Sequence, residues 1–97
     1  SEIGNVAYDQ IIQYLHENGL TDTGGCKTFY SPQDWKDRGE KYGTESELII
    51  IHDGGDHARA FSWDYGDYKT IEGMIAALKP LGVFPEQCTC WYSAIYK

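Results

Sequence analysis

Apolar positions recur along this chain with two different periods, and the changes of period mark its elements. Val6, Ile11, Tyr14 and Leu15 return at helical spacing, and Gly19 is placed to end the run. The pattern predicts a first helix over 5–18. Gly24-Gly25 reads as a turn, and Cys26 to Tyr30 as a short strand. Ser31-Pro32-Gln33-Asp34 carries strong helix-start signals: Ser at the N-cap, Pro at the first helical position and an acid two residues later. That helix carries Trp35 inward and stops at Gly39 or Gly43.

Glu47 to His52 and His57 to Trp63 read as strands joined at Gly54-Gly55, and Asp64 to Asp67 as a turn. Asp67 is placed to cap a helix over 68–79, whose apolar stripe is Ile71, Met74, Ile75 and Leu78 and which Pro80 and Gly82 end. Cys88 to Tyr96 reads as a last strand. The predicted order is α-β-α-β-β-α-β. The fold class is α+β, a two-layer sandwich of three helices and about four mostly antiparallel strands. Residues 1–97 are expected to form a single globular domain.

The segment Ile49-Ile50-Ile51-His52-Asp53-Gly54-Gly55-Asp56-His57 is nearly a palindrome. With Gly54-Gly55 as a two-residue turn, both glycines take positive φ. Asp53 then opposes Asp56, His52 opposes His57, and Ile51 opposes Ala58. Alternation sends Ile49, Ile51, Ala58 and Ala60 to one face, the expected core face under helix 68–79. Leu48, Ile50, His52, His57, Arg59, Phe61 and Trp63 take the other. The two histidines become neighbours, with the two aspartates turned away from them. This register offers a metal two ligands rather than four. Cys88 and Cys90 share a strand face and would complete a zinc site, should the last strand lie alongside. The plain alternative is a solvated turn whose aspartates cap backbone N–H groups. The cysteines equally suit core packing, or one of them a disulfide to Cys26.

Composition narrows the function. The 97 residues hold 15 acids against 8 Lys and Arg, a net charge of −7 with a pI near 4.7. A nucleic-acid binder needs a basic footprint, and an anionic membrane would repel this chain. A protein partner with a basic surface is favoured instead. The acids cluster: residues 53–72 carry Asp53, Asp56, Asp64, Asp67 and Glu72 against Arg59 and Lys69. Charges over 34–47 alternate in sign, as on a solvated helix. Eight Tyr and three Trp are too many to bury with every polar atom paired. Three cysteines and the lack of an apolar leader suggest a cytoplasmic chain with reduced thiols. Its start at Ser1 fits processing or a tag scar. Gly25-Cys26-Lys27-Thr28 lacks the Gly before Lys that a phosphate loop requires.

No convincing catalytic constellation and no cofactor requirement emerge. The expectation is a small acidic, non-enzymatic interaction protein. One such class is the inhibitors of nucleic-acid-binding proteins that phages and mobile elements use against host defence. The expected contact residues are Asp53, Asp56, Arg59, Phe61, Trp63, Asp64, Tyr65, Asp67 and Tyr68. The two acidic turns would sit about 20 Å apart, at opposite ends of an extended 57–63 strand. A metal-binding module using His52 and His57 with Cys88 and Cys90, and a small-ligand binder using the aromatic face, are the alternatives.

Overall fold

The protein is seen as a computed structural model that describes residues 2–24 and 27–97. Helix α1 runs Glu2–Glu17, strand β1 Phe29–Tyr30, helix α2 Pro32–Asp37 and strand β2 Leu48–Ile51. Two 3₁₀ segments, Asp56–Ala60 and Trp63–Tyr65, lead into helix α3, Tyr68–Leu78. Strands β3, Phe84–Gln87, and β4, Tyr92–Tyr96, complete an antiparallel sheet of order β1-β2-β4-β3. The α+β class, the three helices and the number of strands are as expected. The expected strand start at Cys26 lies outside the described residues, as does the Cys26 end of the proposed disulfide. No helix among the described residues is long and apolar enough to cross a membrane.

Local sequence explains the helix starts. Ser31 Oγ accepts from the Asp34 N–H at 3.1 Å, and Pro32 fills the first helical position, where a missing donor costs nothing. Asp67 caps α3 by accepting from the Thr70 N–H and hydroxyl at 3.4 and 2.7 Å. Along α1, Ala7, Ile11 and Leu15 fall on one stripe and bury against α3 and the sheet. Burying one such large aliphatic side chain contributes about 1.5–3 kcal/mol. Gly73 leaves a notch in α3, through which the Tyr14 hydroxyl donates to the Thr70 carbonyl at 2.9 Å.

The segment 57–63 is not a strand. Strand β2 pairs with β1 through Phe29↔Ile50 and with β4 through Ile51↔Tyr92, so both of its edges are occupied. The missing neighbour of β4 is β3, a segment that the sequence pattern leaves unassigned between the third helix and the last strand. As an edge strand, β3 tolerates a residue without an N–H. The burial of His57, Ala58, Ala60 and Phe61 follows a helical period, not alternation. The turn at 52–55 closes through Gly55 N–H to the His52 carbonyl at 3.4 Å. Gly54 has φ +77°, whereas Gly55 is extended at φ −111°, so the two-glycine hairpin turn does not form.

The expected faces of β2 are also exchanged. Leu48 and Ile50, not Ile49 and Ile51, face α1 and α3, in a core with Phe29, Phe61, Met74, Leu78 and Ile95. Ile49 and Ile51 face the other way, beneath Trp35 of α2 with Tyr92 and Ala94. A strand apolar on both sides carries no signal for which side meets the helices.

Candidate functional site

The chain leaves β2 at Ile51, and His52 continues the face that looks toward the helices. Its Nε2 lies 3.0 Å from Ser93 Oγ on β4. His57 follows at the start of the first 3₁₀ segment and donates from Nε2 to the Ile51 carbonyl at 2.7 Å. Both imidazoles are completely buried. Both reach Phe61, His52 stacked on it with ring centroids 6.1 Å apart and His57 edge-on at 6.5 Å. The expected neighbours therefore do come together, through a folded-back turn instead of cross-strand pairing. The solvated-turn alternative fails for the histidines, because turn and 3₁₀ segment close over them. Gly55 is part of that closure: a Cβ there would overlap the His57 ring and press on the backbone of Thr23.

Among the described residues, neither Nδ1 atom has a hydrogen-bond partner. Burial, reinforced by His57, lowers the His52 pKa from 6.5 to about 4. A second proton on His52 would meet no acceptor among the described residues. Among the described residues, no group of three or more His, Cys, Asp or Glu side chains converges as metal ligands would. Cys88 packs with Trp35, Trp91 and Tyr96 on the opposite face of the sheet, and Cys90 is exposed. The sheet thus separates Cys88 from His52, and the His52/His57/Cys88/Cys90 set is not assembled.

The aspartates lie outside. Asp53, Asp56 and Asp64 are exposed, and Trp63, Tyr65 and Tyr68 are 46, 56 and 55% exposed. Trp63 and Tyr68 lie with ring centroids 5.6 Å apart. The Trp63 N–H donates to Gln87 Oε1 at 2.9 Å, which ties this segment to β3. Because 56–60 is a 3₁₀ segment, it spans about 10 Å, well short of an extended strand. A shallow cleft lined by Gly55, Asp56, Arg59 and Tyr65 joins the two acidic turns. They form one ridge instead of two points at opposite ends of a strand.

Three of the expected contact residues have other duties. Phe61 is buried and supports the ridge from behind. Asp67 caps α3, and Arg59 lies 3.8 Å from its carboxylate. Of the expected set, Asp53, Asp56, Arg59, Trp63, Asp64, Tyr65 and Tyr68 are exposed.

In comparisons with known proteins, no family model, no curated sequence and no solved structure matches this chain. Its function therefore rests on its own residues.

Sequence reading passed over one feature on the far face of the sheet. There Arg38 lies over the rings of Trp35, Tyr30 and Trp91 at 4.9, 5.4 and 5.8 Å and pairs with Glu40 at 3.1 Å. Beside it opens a groove of about 450 Å³ bordered by Tyr42, Glu86, Cys88, Tyr92 and Tyr96. The alternation of Tyr92, Ala94 and Tyr96 was the available signal. Tyr42 and Glu86, in a loop and an unforeseen strand, gave none.

Proposed function

We propose that the protein is a non-enzymatic binding module whose acidic, aromatic ridge over residues 53–68 occupies a basic surface on a partner protein. The observation that carries this reading is the 3₁₀ segment Asp56–Ala60, which brings Asp56 of one acidic turn and Tyr65 of the other to a single cleft, with Asp53, Asp64, Trp63 and Tyr68 exposed in the same stretch of chain. Aromatic side chains with area to lose to a partner, ringed by charge, are the usual anchors of protein interfaces. Seven net negative charges on 97 residues would steer a basic partner toward this surface and repel nucleic acid. Nucleic-acid-binding proteins carry such basic surfaces, so the reading extends to inhibition of one of them. A phage- or mobile-element-encoded inhibitor of a host defence nuclease is the form we favour.

The test is affinity capture from host lysate at low and moderate salt. It compares the native chain with Asp53→Asn/Asp56→Asn/Asp64→Asn and with Trp63→Ala/Tyr65→Ala. These positions avoid Asp67, whose loss would uncap α3. Both variants should lose the captured partner, and the native interaction should weaken as salt rises. Capture of the same partner, undiminished, by both variants would sink the assignment.

A further inference from the structure

The groove on the far face of the sheet lies outside the ridge and does not depend on it. Strand register places Glu86 opposite Ala94, which puts it diagonally beside both Tyr92 and Tyr96. Ala94 is small, and Gly43 packs over it and Ile49 with φ +82°. The Tyr42 carbonyl accepts from Trp35 Nε1 at 2.7 Å, which anchors the loop so that Tyr42, 78% exposed, forms the outer wall. The groove therefore has aromatic walls and a carboxylate at its edge, and no cationic side chain among the described residues lines it.

We propose that this groove takes the guanidinium of an arginine side chain presented by a protein partner. The neighbouring Tyr30, Trp35 and Trp91 rings already surround one guanidinium, that of Arg38, with Glu40 as its counter-ion. The groove repeats those components, aromatic faces and a glutamate, without a cation of the chain's own. A planar guanidinium stacks on aromatic faces while its N–H fork pairs with a carboxylate, which an ammonium cannot do in the same way. Burial foremost, then Cys88 and nearby glutamates, raises the pKa values of Tyr92 and Tyr96, so both rings stay neutral π faces. Tyr92 also packs against Trp35 with ring centroids 5.0 Å apart, making the two aromatic groups one continuous surface.

The test is an amide-resolved NMR titration with N-acetyl-arginine amide. N-acetyl-citrulline amide serves as the uncharged analogue of the same shape, and free arginine as the metabolite control. Binding should be weak, on the order of millimolar, as for one side chain taken from its protein. Shifts should centre on Tyr42, Glu86, Cys88 and Tyr92. Tyr42→Ala and Glu86→Gln, both at exposed positions, should each weaken binding about 3-fold or more with unchanged melting temperature. The Asp53→Asn/Asp56→Asn/Asp64→Asn variant should bind the probe as the native chain does. Failure of the ridge and failure of the groove are thereby separable. Equal binding of the citrulline probe, shifts centred on residues 53–68, no effect of either groove variant, no saturable shifts, or tighter binding of free arginine than of the capped form would each overturn the proposal.

Discussion

The two faces of the sheet solve the same burial problem with different materials. One is roofed by two helices of 16 and 11 residues and is filled mainly by aliphatic side chains, with Met74, Phe29 and Phe61. The other has only the six-residue α2 and the loop after it. There Trp35, Tyr30, Trp91, Tyr92 and Tyr96 supply the area, and Arg38 lies against the rings. Aromatic side chains can close a surface with little backbone above it, because each covers much area and its polar tip tolerates water. The price is a face that stays partly open. The histidine pair shows the opposite solution: polar rings enclosed at the end of the helical face, with one nitrogen of each unpaired among the described residues. The lightly roofed face is where a ligand can enter, and the enclosed face is where pH and packing bear on stability.

The largest effect should come from Trp35→Ala. Trp35 is completely buried, centres the far-face cluster and donates to the Tyr42 carbonyl. Its loss should cost about 4 kcal/mol, measured by urea unfolding. A loss under about 1 kcal/mol would mean that the far face contributes little to folding and that the contrast between the faces is wrong.

Next comes pH. His52 titrates near 6.5 when unfolded and at about 4 when folded. The unfolded chain therefore binds the extra proton first as pH falls. The associated stability is complete above pH 6.5, declines between 6.5 and about 4, and amounts to about 3 kcal/mol. Unfolding measured at pH 7, 5.5 and 4 should show this loss, and His52→Leu should flatten the profile. Parallel profiles for the two proteins would show that the enclosure does not act on His52.

The smaller effect is that of Gly55→Ala. The backbone of Gly55 has an ordinary φ, so strain is not the issue; the added methyl would meet His57 and Thr23. A destabilisation of about 2 kcal/mol is expected. Gly54→Ala, where φ is positive but the space is open, should cost about 1 kcal/mol through conformation alone. Reversal of that order in thermal melts would break the account of how the histidines are closed in.

Much of the fold was legible because its signals are local. The Ser31 and Asp67 caps, the stripe of α3 and the last strand each depend on residues close in sequence. The segment 57–63 misled because His57, Arg59 and Phe61 alternate with small residues, and nothing local reveals that both edges of β2 are already paired. The site was legible in part. The proximity of His52 and His57, their separation from Asp53 and Asp56, and an acidic region with surface aromatics all followed from the letters. The groove did not, since it joins a loop residue, an edge strand containing proline and two alternate residues of β4.

By itself, then, the sequence determined the helices, the caps, the acidic character and the nearness of the two histidines across a tight bend. Those properties rest on short-range sterics, hydrogen bonding and charge. Only the tertiary structure decided which side of β2 meets the helices, that 56–60 coils into one ridge, and that Tyr42, Glu86, Tyr92 and Tyr96 enclose a groove. Those outcomes depend on which strands occupy the edges of β2. That competition is between segments about 20 to 40 residues apart, such as Phe29 with Ile50 and Ile51 with Tyr92, and no local pattern encodes it.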